Sequence, residues 1–251
     1  MPTTESGVPT TIKMTAAFVV ALVALVGALM LTTGSGSSAG AADSDKQSKM
    51  LGAVGSLPEA QCPGNCEALA VVTGIQSKID GVSTPFRVPF SGKITKWKLA
   101  LGKPNKSQRQ FFEQNFGKKP KAGLAILKKV KVKGKTQYKL RKRSPVEGLN
   151  RDMGGVTTYK LSNPIPVQEG NYVALTVPTW APALASVGLS DTGYSWRASR
   201  KPSTCDQPIN RNTSSPQTKK GSKRRYGCSF GGAQMLYRAK LTGNVSGGAG
   251  N

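Results

Sequence analysis

The chain has 251 residues, 36 lysines and arginines against 12 acids, and a formal net charge of +24. Such a field favours anionic partners and works against acidic metal sites. Histidine is absent, which excludes Ser-His-Asp and Cys-His catalysis, histidine-ligated zinc and HExxH peptidase chemistry.

Met14 to Leu31 is an unbroken apolar stretch, preceded by Lys13 and followed by the small residues TTGSGSSAGAADSD. Ala39-Gly40-Ala41 fits the small-x-small cleavage pattern of a secretory leader. The stretch is also near the lower limit for a spanning helix, roughly 17–25 residues. Residues 1–41 are therefore expected to be a hydrophobic helix acting as a signal peptide or membrane anchor. Membrane contact through 14–31 follows if it is not cut. The Gly-, Ser- and Ala-rich residues 42–60 read as a flexible linker.

From Glu67 the text becomes β-like. Ala68–Ile75, Phe86–Phe90, Ile94–Leu101, a longer strand opening at Leu124–Leu127, Tyr172–Val177, Tyr194–Arg197 and Met235–Leu241 read as strands punctuated by Gly and Pro. One helix interrupts them. Ser107 is expected to cap Gln108–Phe116 with Gln110 as its capping-box partner, and Gly117 to end it. Phe112 and Phe116 then share a face that plugs the core. The fold class is all-β, a single jelly-roll-like β-sandwich over 61–243 with one short helix, closed by a flexible tail at 244–251.

The four cysteines, Cys62, Cys66, Cys205 and Cys228, read as two disulfides in an oxidising compartment. Three pairings are possible; Pro63-Gly64 favours a tight turn that closes Cys62–Cys66, with Cys205–Cys228 then spanning a long polar loop. Redox use of CPGNC is disfavoured by its three intervening residues. No metal or cofactor is expected.

The segment 127–143, LKKVKVKGKTQYKLRKR, reads as a hairpin turning at Lys133-Gly134-Lys135. Period two is expected to place Lys129, Lys131, Lys133, Lys135, Lys139, Arg141 and Arg143 on one outer face, with the apolar residues inward. A second basic cluster, Lys219, Lys220, Lys223, Arg224 and Arg225, lies in the loop between Cys205 and Cys228. Stacked like charges cost stability. A surface kept so basic points to an anionic envelope polymer, lipid head groups or, in vitro, nucleic acid. A solvated face guarding an edge strand is the plainer alternative.

Two rival readings use other residues. Trp180, Tyr194 and Trp196 offer a platform for a sugar, on a fold class that includes lectins, though aromatics more often pack β cores. Glu147 and Asp152 form a carboxylate pair of the kind glycosidic hydrolysis needs. In so basic a chain they are expected to be ion-paired instead, and the protein to be non-catalytic. A structural envelope component without a discrete ligand is the third reading.

The chain resembles a group of exported actinobacterial proteins to which no activity is attached. The resemblance rests on Cys62-Pro-Gly-Asn-Cys66-Glu67-Ala68, Thr73-Gly74-Ile75-Gln76, Val88-Pro89 with Ser91-Gly92-Lys93-Ile94 and Trp97, and Phe111-Phe112 with Phe116-Gly117. LTVPTWAP at 175–182 and WRASR at 196–200 complete it. It implies export to the medium or cell envelope and one domain, and carries no ligand or catalytic residue.

Overall fold

The computed structural model describes residues 46–244. The 14–31 segment and the 244–251 tail beyond Asn244 lie outside them. Among the described residues no helix is long and apolar enough to cross a membrane.

The chain is mostly strand. In order come β1 (Lys46–Leu51), β2 (Leu69–Ile79), β3 (Val82–Ser83), β4 (Gly92–Ala100), helix α1 (Lys106–Phe116), β5 (Lys121–Val132) and β6 (Lys135–Arg143). Then follow β7 (Glu147–Gly148), β8 (Val156–Val167), β9 (Tyr172–Ala181), β10 (Leu184–Ala185) and β11 (Ser195–Ala198). Last are β12 (Lys223–Arg224), β13 (Cys228–Gly231), β14 (Gln234–Met235) and β15 (Tyr237–Asn244). One antiparallel sheet has the order β1-β15-β4-β8, and a larger one the order β12-β6-β5-β9-β2-β11-β13.

The all-β expectation holds, and both sheets contribute to one apolar cluster. Ile94, Trp97 and Leu99 enter it from β4, and Leu124, Ile126, Val173 and Leu175 from β5 and β9. Trp97 and Leu99, at alternate positions of β4, are fully buried, and Lys96 and Lys98 on either side of Trp97 are half-buried. The Tyr237 ring stacks on Phe86 with centroids 4.0 Å apart. Its hydroxyl donates to the Val173 carbonyl at 3.0 Å, which ties the smaller sheet to the larger.

Several elements differ from the expectation. Residues 46–51 of the supposed linker form β1, pairing with β15 from Lys46↔Asn244 to Leu51↔Ala239. Phe86–Phe90 is not a strand: its pairing is the single bridge Arg87↔Tyr172. Helix α1 is capped by Asn105, two residues before the expected cap, with Gln108 completing the capping box. Ser107 instead donates its hydroxyl to Asn105 Oδ1 at 2.8 Å. Asn and Ser are both strong caps, and only the backbone path selects between them. Gly117 ends the helix as expected.

Gln76 is fully buried and ties three strands together. Its Nε2 donates to the carbonyls of Lys78, Ser195 and Ala233, and its Oε1 accepts from the Met235 N–H at 2.8 Å. Gln76→Leu leaves those groups dry and unpaired. It is expected to lower folding free energy by about 2 kcal/mol, read as a shift in urea midpoint. An unchanged midpoint refutes this.

Candidate functional site: a basic edge around β6

The hairpin forms on the expected residues. Lys133 and Gly134 are the two turn residues, with φ of 48° and 74°. Positive φ at both central positions is the primed turn that matches strand twist. Gly134 takes this conformation freely.

The expected face does not form. A two-residue turn pairs Val132 with Lys135, Lys131 with Thr136 and Lys129 with Tyr138. Directly opposed residues point the same way, so odd positions of β5 share a face with even positions of β6. Lys129 and Lys131 therefore lie beside Tyr138 and Thr136. Lys135 and Lys139 lie on the other face, beside Val132, Val130 and Lys128. The register slips between Ile126 and Leu127, where Lys142 and Leu140 are the partners, so Arg141 is the extra residue of a bulge. Arg143 sits opposite Ala125. The bases, and the apolar residues with them, are split between two surfaces.

The long polar loop restores a concentrated site by another route. It lays β12 along the outer edge of β6, with Lys223 opposite Lys139 and Arg224 opposite Tyr138. Lys128 is the β5 partner of Lys139. Lys128, Lys139 and Lys223 thus form a row directly across three strands. Lys128 and Lys223 are exposed, and Lys139 is half-buried.

Two clefts flank this row. One, of about 630 Å³, includes Lys139, Arg141, Lys142 and Lys220 in its walls, with Gln168 and Asn171 opposite. The other, of about 620 Å³, includes Arg200, Lys201, Lys223, Arg224 and Arg225. Neither cleft has an acid in its lining. Lys219 is exposed nearby in the same loop. Lys128, Lys142, Arg200 and Lys201 are members that parity and local clustering did not select.

A buried polar network holds the loop on the sheet. Gln217 is fully buried. Its Nε2 donates to the carbonyls of Tyr138 and Ser222 at 3.0 and 2.8 Å. Its own N–H donates to Thr73 Oγ1 at 2.9 Å, and the Tyr226 hydroxyl donates to its Oε1 at 2.9 Å. Ser199 donates to the Ser215 carbonyl while accepting from Thr73 N–H. Arg224 is held by the Ser215 carbonyl and hydroxyl at 2.7 and 2.8 Å. The Cys205–Cys228 disulfide pins the loop where it leaves and rejoins the sheet, and Cys62–Cys66 closes the expected short loop.

The sugar platform does not form. Trp180 is fully buried, stacked on Phe112 at 5.1 Å, and donates from Nε1 to the Gly117 carbonyl at 3.0 Å. Trp196 is also buried, but in a different apolar cluster together with half-buried Tyr194. Asp152 accepts from the Tyr159 hydroxyl at 2.6 Å and from the Thr157 hydroxyl at 3.0 Å. Burial, that bond and the charges of Asp152 and Glu147 push the Tyr159 phenol well above its ordinary range. The partners of Asp152 are hydroxyls, where an ion pair was expected. Among the described residues no group of acids and cysteines is placed to hold a metal.

No family model, curated protein or solved structure matches this chain.

Proposed function

We propose that the protein is an exported, non-catalytic β-sandwich that binds an anionic envelope polymer along the basic edge formed by β5, β6 and β12. The observation that carries this reading is the Lys128–Lys139–Lys223 row between two acid-free clefts. Like charges placed directly across strands are destabilising. A linear polyanion lying over the row removes that repulsion and releases its own counterions. The sandwich reading is supported by the apolar cluster that both sheets share. Export is supported by the leader-like 14–31 segment and by two disulfides, which persist in oxidising compartments.

The test is binding to immobilised sodium polyphosphate as salt is raised. If about four phosphates are neutralised, affinity falls roughly a hundredfold between about 50 and about 200 mM salt. The triple replacement Lys128→Gln, Lys139→Gln and Lys223→Gln is expected to weaken binding and to flatten the salt slope by up to about three. Binding that ignores salt, or a triple variant that keeps the full slope, sinks the proposal.

A further inference from the structure

Arg200 stands between two different spaces. On one side it lines the basic cleft already described. On the other it lines a separate cavity of about 380 Å³, walled by Leu69, Val72, Leu184, Trp196, Phe230 and Ala233. The Trp196 and Phe230 rings stack with centroids 4.8 Å apart. Ile209, an exposed apolar side chain, also contributes to the lining. A cavity of this size and apolar character suits a small molecule, for which roughly 300–1,000 Å³ is typical.

Arg200 itself is 3% exposed. Its Nη2 donates to the carbonyls of Thr204 and, at 2.9 Å, Gln207. Its Nε is buried and has no partner among the described residues. Burial lowers the guanidinium pKa, and Asp206 opposes that through space. Asp206 is exposed, as is Glu67, the one acid in the cavity lining. The buried hydroxyl of the wall is satisfied, since Ser214 donates to the Val71 carbonyl at 2.9 Å. A buried cation is costly unless it is paired, and it calls for an anionic partner. A carboxylate is the acceptor that suits a guanidinium best, and the walls ask for an apolar remainder.

We propose that this cavity binds a small amphipathic carboxylic acid, its carboxylate paired with the Arg200 guanidinium and its chain lying against Trp196 and Phe230. The site does not depend on the lysine row, although Arg200 also lines the cleft beside it. A phosphate polymer has no apolar part to fill the cavity, and a fatty acid does not need the lysine row.

The test uses the full chain and three probes of one length: octanoate, octanol and octylamine, each titrated by calorimetry. Octanoate is expected to saturate a single site about tenfold or more tightly than octanol, because a charge-assisted bond replaces none. Octylamine is expected not to bind. Polyphosphate is expected not to compete, which separates this site from the lysine row. Ser186→Phe, at the half-buried rim of the cavity, is expected to abolish octanoate binding while polyphosphate binding persists. Arg200→Lys keeps the charge and removes the planar guanidinium, and is expected to weaken octanoate about tenfold, with thermal unfolding as the control for folding. Octanoate weaker than about 1 mM, octanol equal to octanoate, or full binding by Ser186→Phe overturns the proposal.

Discussion

Replacing Trp180 by alanine is expected to lower the free energy of folding by about 3–5 kcal/mol and to leave saccharide recognition unchanged. Trp180 is among the largest side chains with no exposure to solvent. It packs with Phe112, Phe116, Ala70 and Val71 where α1 meets the sheet. Truncation to alanine removes the stacking partner of Phe112 and opens a void that the rigid β2 and β9 backbones cannot fill by moving. It also leaves the Gly117 carbonyl, which ends the helix, without the indole donor. Each loss points the same way. The urea midpoint and slope measure the effect, and a glycan array on wild type and variant measures the alternative. A variant of wild-type stability that loses a saccharide signal would restore the sugar platform and refute the packing assignment.

The second large effect is alkaline. Stability is expected to fall steeply above pH 10, with the buried tyrosines ionising only as the fold opens. Tyr226 and Tyr237 are buried. Burial pushes both phenols well above their ordinary value, and each charge would raise the other's neighbourhood further: Tyr138 acts on Tyr226, and Tyr226 on Tyr237. The nearby Arg224 charge pulls Tyr226 the other way and does not win. An unfolded tyrosine ionises near pH 10. Above that value the unfolded chain has lost a proton the folded chain keeps. Folding stability therefore declines with rising pH, by a slope that approaches about 1.4 kcal/mol per pH unit for each buried phenol. Below pH 10 both states hold the proton and the effect vanishes. Tyr226→Phe isolates the phenol contribution, since its stability curve is expected to be shallower by one such slope. Tyrosinate absorbance near 295 nm reads ionisation directly and is expected to rise together with unfolding. Smooth ionisation of every tyrosine well below the unfolding transition refutes the assignment. The Tyr226 hydroxyl also holds Gln217, so the same transition is expected to release the basic loop and abolish polyphosphate binding.

Much of the architecture is legible in local chemistry. The turn at Lys133-Gly134, the helix end at Gly117 and the Cys62–Cys66 pairing follow from neighbouring residues, and Cys205–Cys228 is the pair that remains. The alternating burial of β4 follows from period two, and the buried run of β9 from its unbroken apolar text. Edge strands are less legible. β8 carries Pro164 and Pro166 and a mostly exposed pattern, yet it forms because an edge strand has a free side on which a missing N–H costs nothing. β1, KQSKML, reads as linker until β15 supplies its partner.

The sequence by itself determined a basic, β-rich, disulfide-paired chain without histidine, because composition, period two and turn chemistry are local properties. Only the tertiary structure decided which charges meet. Hairpin register divides the lysines between two faces, and one bulge shifts Arg141 out of phase. The row that concentrates charge needs Lys223 to reach Lys139, far along the chain. That approach depends on Gln217, Thr73 and Tyr226 closing a buried network, and no periodicity encodes a hydrogen bond between residues so distant in sequence.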